Sequence, residues 1–164
     1  MQEARIELLQ RMPIFGGVQG DILQFILSLS SIVSVIKADF FFREFDEADS
    51  IFVLEAGKVA VLKGWEGRQY LLRNLTKGDC FGEMALMDLS PRSASVLAVE
   101  DCTAIKLSSA NLYKVYERDV EQFALIQMNM GREVSRRLRE ADDRLFRARI
   151  GALATAEDYI VRSA

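Results

Sequence analysis

The stretch from Phe81 to Val96 constrains the fold more than any other part of the sequence. Gly82 permits backbone conformations and close approaches that a side chain would block. A short run of good helix formers, Met84 to Met87, follows it. Ser90-Pro91 then breaks the run, because the residue before a proline is pushed out of the helical region. The stretch therefore predicts a glycine-dependent bend, a short helix and a break, with a strand starting after Arg92.

This order of residues suits a small anionic ligand. A glycine followed by one helical turn exposes unpaired backbone N–H groups, which favour a phosphate. Arg92 adds a planar, permanently charged fork that matches phosphate oxygens. Glu83 would be repelled by a phosphate, so we expect it to accept hydrogen bonds from hydroxyl groups. A ligand with one phosphate and a nearby sugar hydroxyl would use both charges, at about 1.5–3 kcal/mol for each charge-assisted hydrogen bond.

Each of these residues also has an ordinary structural explanation when it is taken alone. Gly82 to Leu86 could be a turn and one helical turn, and a single arginine is usually a solvated surface charge. The joint spacing of the glycine, the acid, the proline and Arg92 favours ligand binding. A domain that keeps the fold and binds nothing is the main alternative.

The motif resembles the phosphate-binding cassette of cyclic-nucleotide-binding domains, which occur in catabolite-activator-type regulators, cyclic-nucleotide-dependent kinases and gated channels. The resemblance rests on Phe-Gly-Glu-Met-Ala-Leu at 81–86 and Pro-Arg-Ser-Ala-Ser-Val at 91–96. It implies that Glu83 binds the ribose 2′-hydroxyl and that Arg92 binds the cyclic phosphate. It also implies that the backbone at the start of the short helix lines the phosphate site, with a serine hydroxyl beside phosphate or base. The candidate ligand-binding residues of the cassette are Phe81, Gly82, Glu83, Met84, Ala85, Arg92 and Ser93.

Two residues outside the cassette are candidate contacts of the base. Leu72 is an apolar residue one strand earlier, and Asp142 falls in the long C-terminal helix where the resemblance places base contacts. A carboxylate can accept from guanine N1–H and the exocyclic amine, so Asp142, like Ser93, favours cyclic GMP. The alternative is that Asp142 pairs with a neighbouring arginine on the surface, which is the commoner fate of such a charge. Cyclic AMP is the default expectation from the family, with cyclic GMP as the close alternative.

The rest of the sequence predicts an α+β fold, an antiparallel β jelly-roll barrel flanked by N-terminal helices and a long C-terminal helix. Residues 2–11 and 18–29 have helical patterns, and residues 32–107 contain short β-branched and aromatic runs between turns. We assign one cyclic-nucleotide-binding domain to residues 1–150. Its parts are N-terminal helices (1–30), a β-roll (31–107), C-terminal helices (108–150) and, outside it, a tail (151–164). The run from Phe40 to Phe45 is expected to be a strand whose phenylalanines pack in the core.

The helix expected from about Val120 to Arg149 has two apolar stripes. Phe123, Ile126 and Met130 are expected to face the strands. The other stripe has heptad spacing and favours a homodimer, with a helix packed on its own domain as the alternative. Arginines and acids interleave along the helix, which indicates a salt-bridged solvent face rather than a DNA-binding patch. The heptad stripe consists of Ala124, Gln127, Gly131, Val134, Leu138, Ala141, Leu145 and Ala148.

Composition excludes several classes of function. The 164 residues contain no histidine and carry a net charge of −3, so histidine-ligated metal sites and Ser-His-Asp triads are ruled out. The two cysteines, Cys80 and Cys102, are expected to be small buried hydrophobes. No run is long and apolar enough to span a bilayer. We expect a cytoplasmic protein that is not an enzyme, with no metal, no cofactor other than its nucleotide ligand and no membrane contact.

The sequence therefore predicts a cyclic-nucleotide sensor that acts on an unidentified effector protein or through dimerisation. Residues 151–164 are too few for a helix-turn-helix domain, so no nucleic-acid partner is expected for this chain. Two alternatives remain open: the sensor part of a DNA-binding transcription regulator, and a ligand-free scaffold of the same fold.

Overall fold

The computed structural model describes residues 2–150, and the predicted tail at 151–164 lies outside them. Helices occupy both ends of this range and strands occupy its centre. The helices are α1 (Gln2–Gln10), α2 (Gly20–Leu29), α3 (Met84–Asp88), α4 (Ser109–Arg118) and α5 (Val120–Arg149), with a 3₁₀ turn at Pro13–Phe15. The strands are β1 (Ser31–Val35), β2 (Phe40–Phe42), β3 (Ser50–Ala56), β4 (Lys58–Trp65), β5 (Arg68–Thr76), β6 (Cys80–Phe81), β7 (Ser95–Ala98) and β8 (Cys102–Ser108).

The strands form two antiparallel sheets of four strands each, in the orders β1-β8-β3-β6 and β2-β7-β4-β5. This confirms the α+β class with N-terminal helices and a long C-terminal helix. The predicted jelly roll consists of these two sheets, which are not closed into a barrel, because no pairing joins one sheet to the other among the described strands. The edge strand β6 shows why: it has only two residues, Cys80 and Phe81, and both pair with β3.

Two apolar clusters make up the core. One lies under the helices and joins α1, α2 and α4 to strands β3 and β8; Ile126 and Met130 of α5 are buried in it, with Phe123 packed against it, as predicted. The other includes residues of both sheets and contains an aromatic group, in which Phe81 stacks on Phe52 with ring centroids 5.3 Å apart. Cys80 and Cys102 are buried free thiols, as expected.

The phenylalanine run does not follow the prediction throughout. Phe41 packs edge-on against Phe81, with ring centroids 5.1 Å apart. Phe45, however, is 79% exposed, so its assignment to the core is wrong. Strand β2 ends at Phe42 because the chain turns there: the Arg43 N–H donates to the Asp46 carboxylate at 2.7 Å, and the Asp46 N–H donates back to the Arg43 carbonyl at 3.2 Å.

The C-terminal helices start and extend as predicted. The Ser108 hydroxyl caps α4 by accepting from the Asn111 N–H at 3.2 Å. The chain divides into two compact units, the first ending at Gly131 and the second beginning at Arg132. In the first unit, the Asn129 side chain of α5 donates to the Gly16 carbonyl at 2.8 Å and so binds the loop after the 3₁₀ turn. No helix within residues 2–150 is long and apolar enough to cross a membrane.

Candidate ligand-binding site

The cassette begins with a backbone conformation that depends on Gly82. Its φ of 84° lies in the left-handed region, which L side chains rarely adopt. A Cβ atom at this position would contact the Arg92 Nη1 atom and would lie 3.2 Å from the Ser50 carbonyl oxygen. Helix α3 follows and ends at Asp88, and the next residue, Leu89, is left-handed with a φ of 55°. The predicted bend, short helix and break are therefore confirmed.

The Arg92 guanidinium folds inward against this glycine. Its side chain is only 4% exposed. Nη1 donates to the Gly82 carbonyl at 3.2 Å, and Nη2 donates to the Ser50 hydroxyl at 3.4 Å. The guanidinium carbon also lies 4.0 Å from the ring centroid of Phe42, which is favourable cation–π geometry. An arginine taken alone in the sequence is usually a solvated charge, whereas the structure shows a buried one with a fixed orientation.

The electrostatics of the site centre on this buried charge. Burial lowers the pKa of Arg92, and the nearby carboxylates of Asp49, Asp46 and Glu83 oppose that effect. The guanidinium stays charged at physiological pH. Its Nε atom is buried and has no hydrogen-bond partner among the described residues. A buried donor without an acceptor is costly, so an anionic ligand that accepted from Nε would gain binding energy there.

The backbone of Arg92 is held by the loop that follows β2. The Arg92 N–H donates to the Asp46 carbonyl at 2.9 Å, and the Arg92 carbonyl accepts from the Phe45 N–H at 2.9 Å. Phe45 adopts a left-handed φ of 72°, which is unusual for a bulky residue. Sequence reasoning missed this loop. The acid three residues after Arg43 is only a weak turn signal, and nothing in the sequence marks Phe45 as left-handed.

The other cassette candidates take different positions. Glu83 precedes α3 and is 2% exposed. Met84 begins α3 and is partly exposed. Its Sδ atom lies 4.0 Å from the Ser93 hydroxyl, so the start of α3 and the residue after Arg92 contact each other. The Ala85 backbone belongs to α3. Phe81 is a core residue, so only its backbone is available to a ligand.

The two base-contact candidates lie outside the cassette. Leu72 is half-exposed on β5, and the register between β4 and β5 shifts beside it: Leu71 pairs with Leu62 and Arg73 pairs with Val61. Leu72 is thus the extra residue of a β-bulge, a feature that redirects a side chain. Asp142 is an exposed residue of α5 in the unit that begins at Arg132. Its contact with a base stays a prediction.

Comparisons with known proteins agree with this geometry. The family model for the cyclic nucleotide-binding domain matches residues 32–119. The Cyclic AMP receptor protein of Thermus thermophilus is 30% identical over 131 residues, which cover 79% of this chain and 59% of that protein. Human cGMP-dependent protein kinase 2 is 40% identical over 70 residues, which cover 42% of this chain and 9% of the kinase. The chain thus spans less than two thirds of either relative.

Solved structures show the same fold. A cyclic nucleotide-binding domain from Methylobacillus flagellatus superposes with a TM-score of 0.79 at 21% identity, covering 94% of this chain and 86% of that one. The matched family is one of ligand-binding domains, and its model includes the whole of the stretch from Gly82 to Arg92. This chain belongs to the cyclic nucleotide-binding domain family.

Proposed function

We propose that this protein is a cyclic-nucleotide sensor whose ligand binds at the cassette. The cyclic phosphate would lie between the Arg92 guanidinium and the backbone N–H groups at the start of α3, and Glu83 would accept from the ribose 2′-hydroxyl. One observation carries this proposal: Arg92 is buried, charged and oriented against Gly82, yet its Nε donor lacks an acceptor among the described residues. A structural arginine would be expected to have that donor satisfied.

The ligand is cyclic AMP or cyclic GMP. The Thermus relative is named for cyclic AMP, and the kinase relative is named for cGMP. Ser93 and Asp142 favour guanine, since a hydroxyl and a carboxylate can accept from groups that adenine does not present in the same arrangement. Family frequency favours cyclic AMP, so the two ligands should be compared directly.

Binding would be transmitted by movement of the C-terminal helix to an unidentified effector protein. A helix that contacts the ligand in only one position gains differential binding energy there, which shifts the equilibrium between positions. The exposed Leu138 and Leu145 of α5 support a homodimer through the heptad stripe. In this proposal the chain is a cytoplasmic regulatory module, without catalytic activity or contact with nucleic acid.

Calorimetric titration with cyclic AMP and cyclic GMP tests the proposal. We expect saturable binding of at least one nucleotide by the wild-type protein. Arg92→Lys should weaken it about 10- to 100-fold, because a lysine keeps the charge and loses the fork of donors. Arg11→Lys is the matched control, since Arg11 is an exposed residue outside the cassette. No binding of either nucleotide by the wild-type protein would contradict the proposal.

A further inference from the structure

An ion pair outside the cassette links the loop after β2 to strand β4. The Lys63 Nζ atom lies 2.5 Å from Oε1 of Glu44. The other carboxylate oxygen of Glu44 accepts from the Gly64 N–H at 2.9 Å. The side chain of Glu44 is 9% exposed, whereas that of Lys63 is 47% exposed. Glu44 therefore has a fixed place in the structure, and Lys63 reaches from it toward the surface.

The same pair also binds the cassette. Lys63 Nζ donates to the Ser93 carbonyl at 2.8 Å. The Glu44 N–H donates to the buried Ser95 hydroxyl at 2.8 Å. Two residues from outside the cassette thus hold it at Ser93 and at Ser95, directly after the arginine proposed to bind phosphate.

These contacts continue the backbone hydrogen bonds of Arg92 itself. Phe45 and Asp46 hold the Arg92 carbonyl and N–H at 2.9 Å each. Lys63 then holds the next carbonyl along the chain, that of Ser93. Each peptide group around Arg92 is therefore bound by the loop after β2 or by Lys63. Since the Arg92 side chain is buried and has a fixed orientation, the position of its backbone decides where its donors lie.

We infer that Lys63 and Glu44 are positioning residues for the ligand site: Lys63 holds the Ser93 carbonyl, Glu44 orients Lys63, and the pair sets the backbone from which Arg92 and Ser93 meet the nucleotide. The inference rests on the proposed function. The hydrogen bonds from Lys63 and from the Gly64 N–H hold the pKa of Glu44 below its ordinary value of 4.5, so this carboxylate is charged at neutral pH. A lysine has three donors, so Lys63 can satisfy the carboxylate and the carbonyl together.

The test compares nucleotide affinities of single and double variants. Lys63→Met removes the ammonium group and keeps an unbranched apolar chain. We expect it to weaken nucleotide binding about fivefold. This effect is small for a charge-assisted hydrogen bond, because solvent screens the half-exposed Lys63 side chain. Lys63→Arg should restore most of the affinity, since a guanidinium can also reach a carboxylate and a carbonyl. Glu44→Gln should weaken binding in the same direction without changing side-chain size.

A double-mutant comparison separates positioning from a general loss of stability. If Lys63 acts largely through Arg92, Lys63→Met should have a smaller effect in an Arg92→Ala background, measured by ligand-observed NMR at high nucleotide concentration. Lys114→Met is the matched control: Lys114 is exposed on α4, and its side chain forms no hydrogen bond or ion pair with another described residue. That control should bind like the wild-type protein.

These affinity measurements distinguish a failure of the inference from a failure of the proposed function. A wild-type protein that binds no cyclic nucleotide overturns both the proposed function and this inference. A wild-type protein that binds, together with Lys63→Met and Glu44→Gln variants of unchanged affinity, overturns the inference alone. An effect of Lys63→Met that persists undiminished in the Arg92→Ala background, or that Lys63→Arg does not reverse, also overturns it. The inference is supported if Lys63→Met lowers the nucleotide affinity, Lys63→Arg restores it, and the effect of Lys63→Met is smaller in the Arg92→Ala background.

Discussion

At the scale of single residues, the site depends on the close approach of Gly82 and Arg92. The guanidinium occupies the space where a side chain at position 82 would begin, and it donates to the Gly82 carbonyl. The glycine therefore has two separate roles: it adopts a left-handed φ, and it leaves room for the charge. The two roles predict two separable effects of substitution.

Gly82→Ala should lower the free energy of unfolding by about 1–3 kcal/mol and should also weaken nucleotide binding, because the new Cβ displaces Arg92. Gly67→Ala is the matched control: Gly67 also has a left-handed φ, 75°, but nothing lies within 4 Å of its Cβ position. That control should lose about 1 kcal/mol of stability from backbone strain alone and keep its affinity. Chemical denaturation and calorimetric titration measure the two effects. Equal affinities in the two variants would contradict the account.

Phe45 gives a second residue-scale prediction. It combines a left-handed φ of 72° with 79% exposure, so its ring gains little from burial while its backbone is strained. Phe45→Gly should therefore be more stable than Phe45→Ala by about 1 kcal/mol, because both remove the ring and only glycine relieves the strain. Thermal unfolding of the two variants is the measurement. An alanine variant as stable as the glycine variant would show that position 45 is unstrained.

Phe45 also shows where sequence reasoning stops at this scale. The aromatic run from Phe40 predicts a buried strand, and Phe41 and Phe42 do pack in the core. The end of β2 depends on Asp46, whose carboxylate accepts from the Arg43 N–H and starts a turn. A local composition of β formers carries no information about that competing hydrogen bond.

At the scale of elements, the long helix α5 contains a buried carboxylate that its arginines neutralise. Glu133 is 6% exposed and accepts from Arg136 at 2.6 Å and from Arg137 at 2.9 Å. The sequence predicts such i,i+3 and i,i+4 pairs, but it assigns them to a solvent face. Which acid is buried depends on tertiary packing, which the charge pattern does not encode.

This arrangement predicts a pH-dependent contribution to the stability of α5. The hydrogen bond from Arg136 is the main cause that lowers the pKa of Glu133 below its ordinary value of 4.5. A lowered pKa in the folded state means that the contribution is fully present above pH 4.5 and is lost as the pH falls through the folded value. Glu133→Gln should therefore lower the melting temperature at pH 7, and the difference from wild type should shrink at pH 3.

Circular dichroism melts at both pH values provide this comparison. Glu140→Gln is the control, because Glu140 is more exposed and pairs with Arg136 alone among the described contacts; its effect at pH 7 should be smaller. A Glu133→Gln variant whose deficit is the same at pH 3 as at pH 7 would contradict the assignment of the effect to charge.

At the scale of the whole molecule, the sequence predicts the α+β class, the jelly roll, the flanking helices and the cassette, but it does not predict whether the two sheets join each other. Periodicity and turn residues identify the strands, because both are local properties. Whether two sheets join depends on edge strands such as β6, whose two residues, Cys80 and Phe81, pair only with β3. The buried orientation of Arg92 was likewise beyond the sequence, since it depends on Ser50 and Phe42 from distant strands.

The oligomeric state of the protein can be predicted from the exposed heptad stripe of α5. Leu138 and Leu145 of the heptad stripe are 60% and 55% exposed in the single chain. If the stripe forms a homodimer, Leu138→Glu should shift the protein to a monomer, because it places a charge in an apolar seam. Leu89→Glu is the control, as Leu89 is an exposed leucine at the end of α3. Sedimentation velocity reports both, and a wild-type protein that sediments as a monomer would contradict the dimer.

The central claim is that one cyclic nucleotide is bound by Arg92 and Glu83 across the bend at Gly82. A crystal structure of the protein grown with cyclic AMP or cyclic GMP tests it most directly. The account predicts a phosphate oxygen within hydrogen-bonding distance of the Arg92 guanidinium, and the ribose 2′-hydroxyl within hydrogen-bonding distance of the Glu83 carboxylate. A nucleotide bound elsewhere, or bound here with Arg92 turned away from its phosphate, would contradict it.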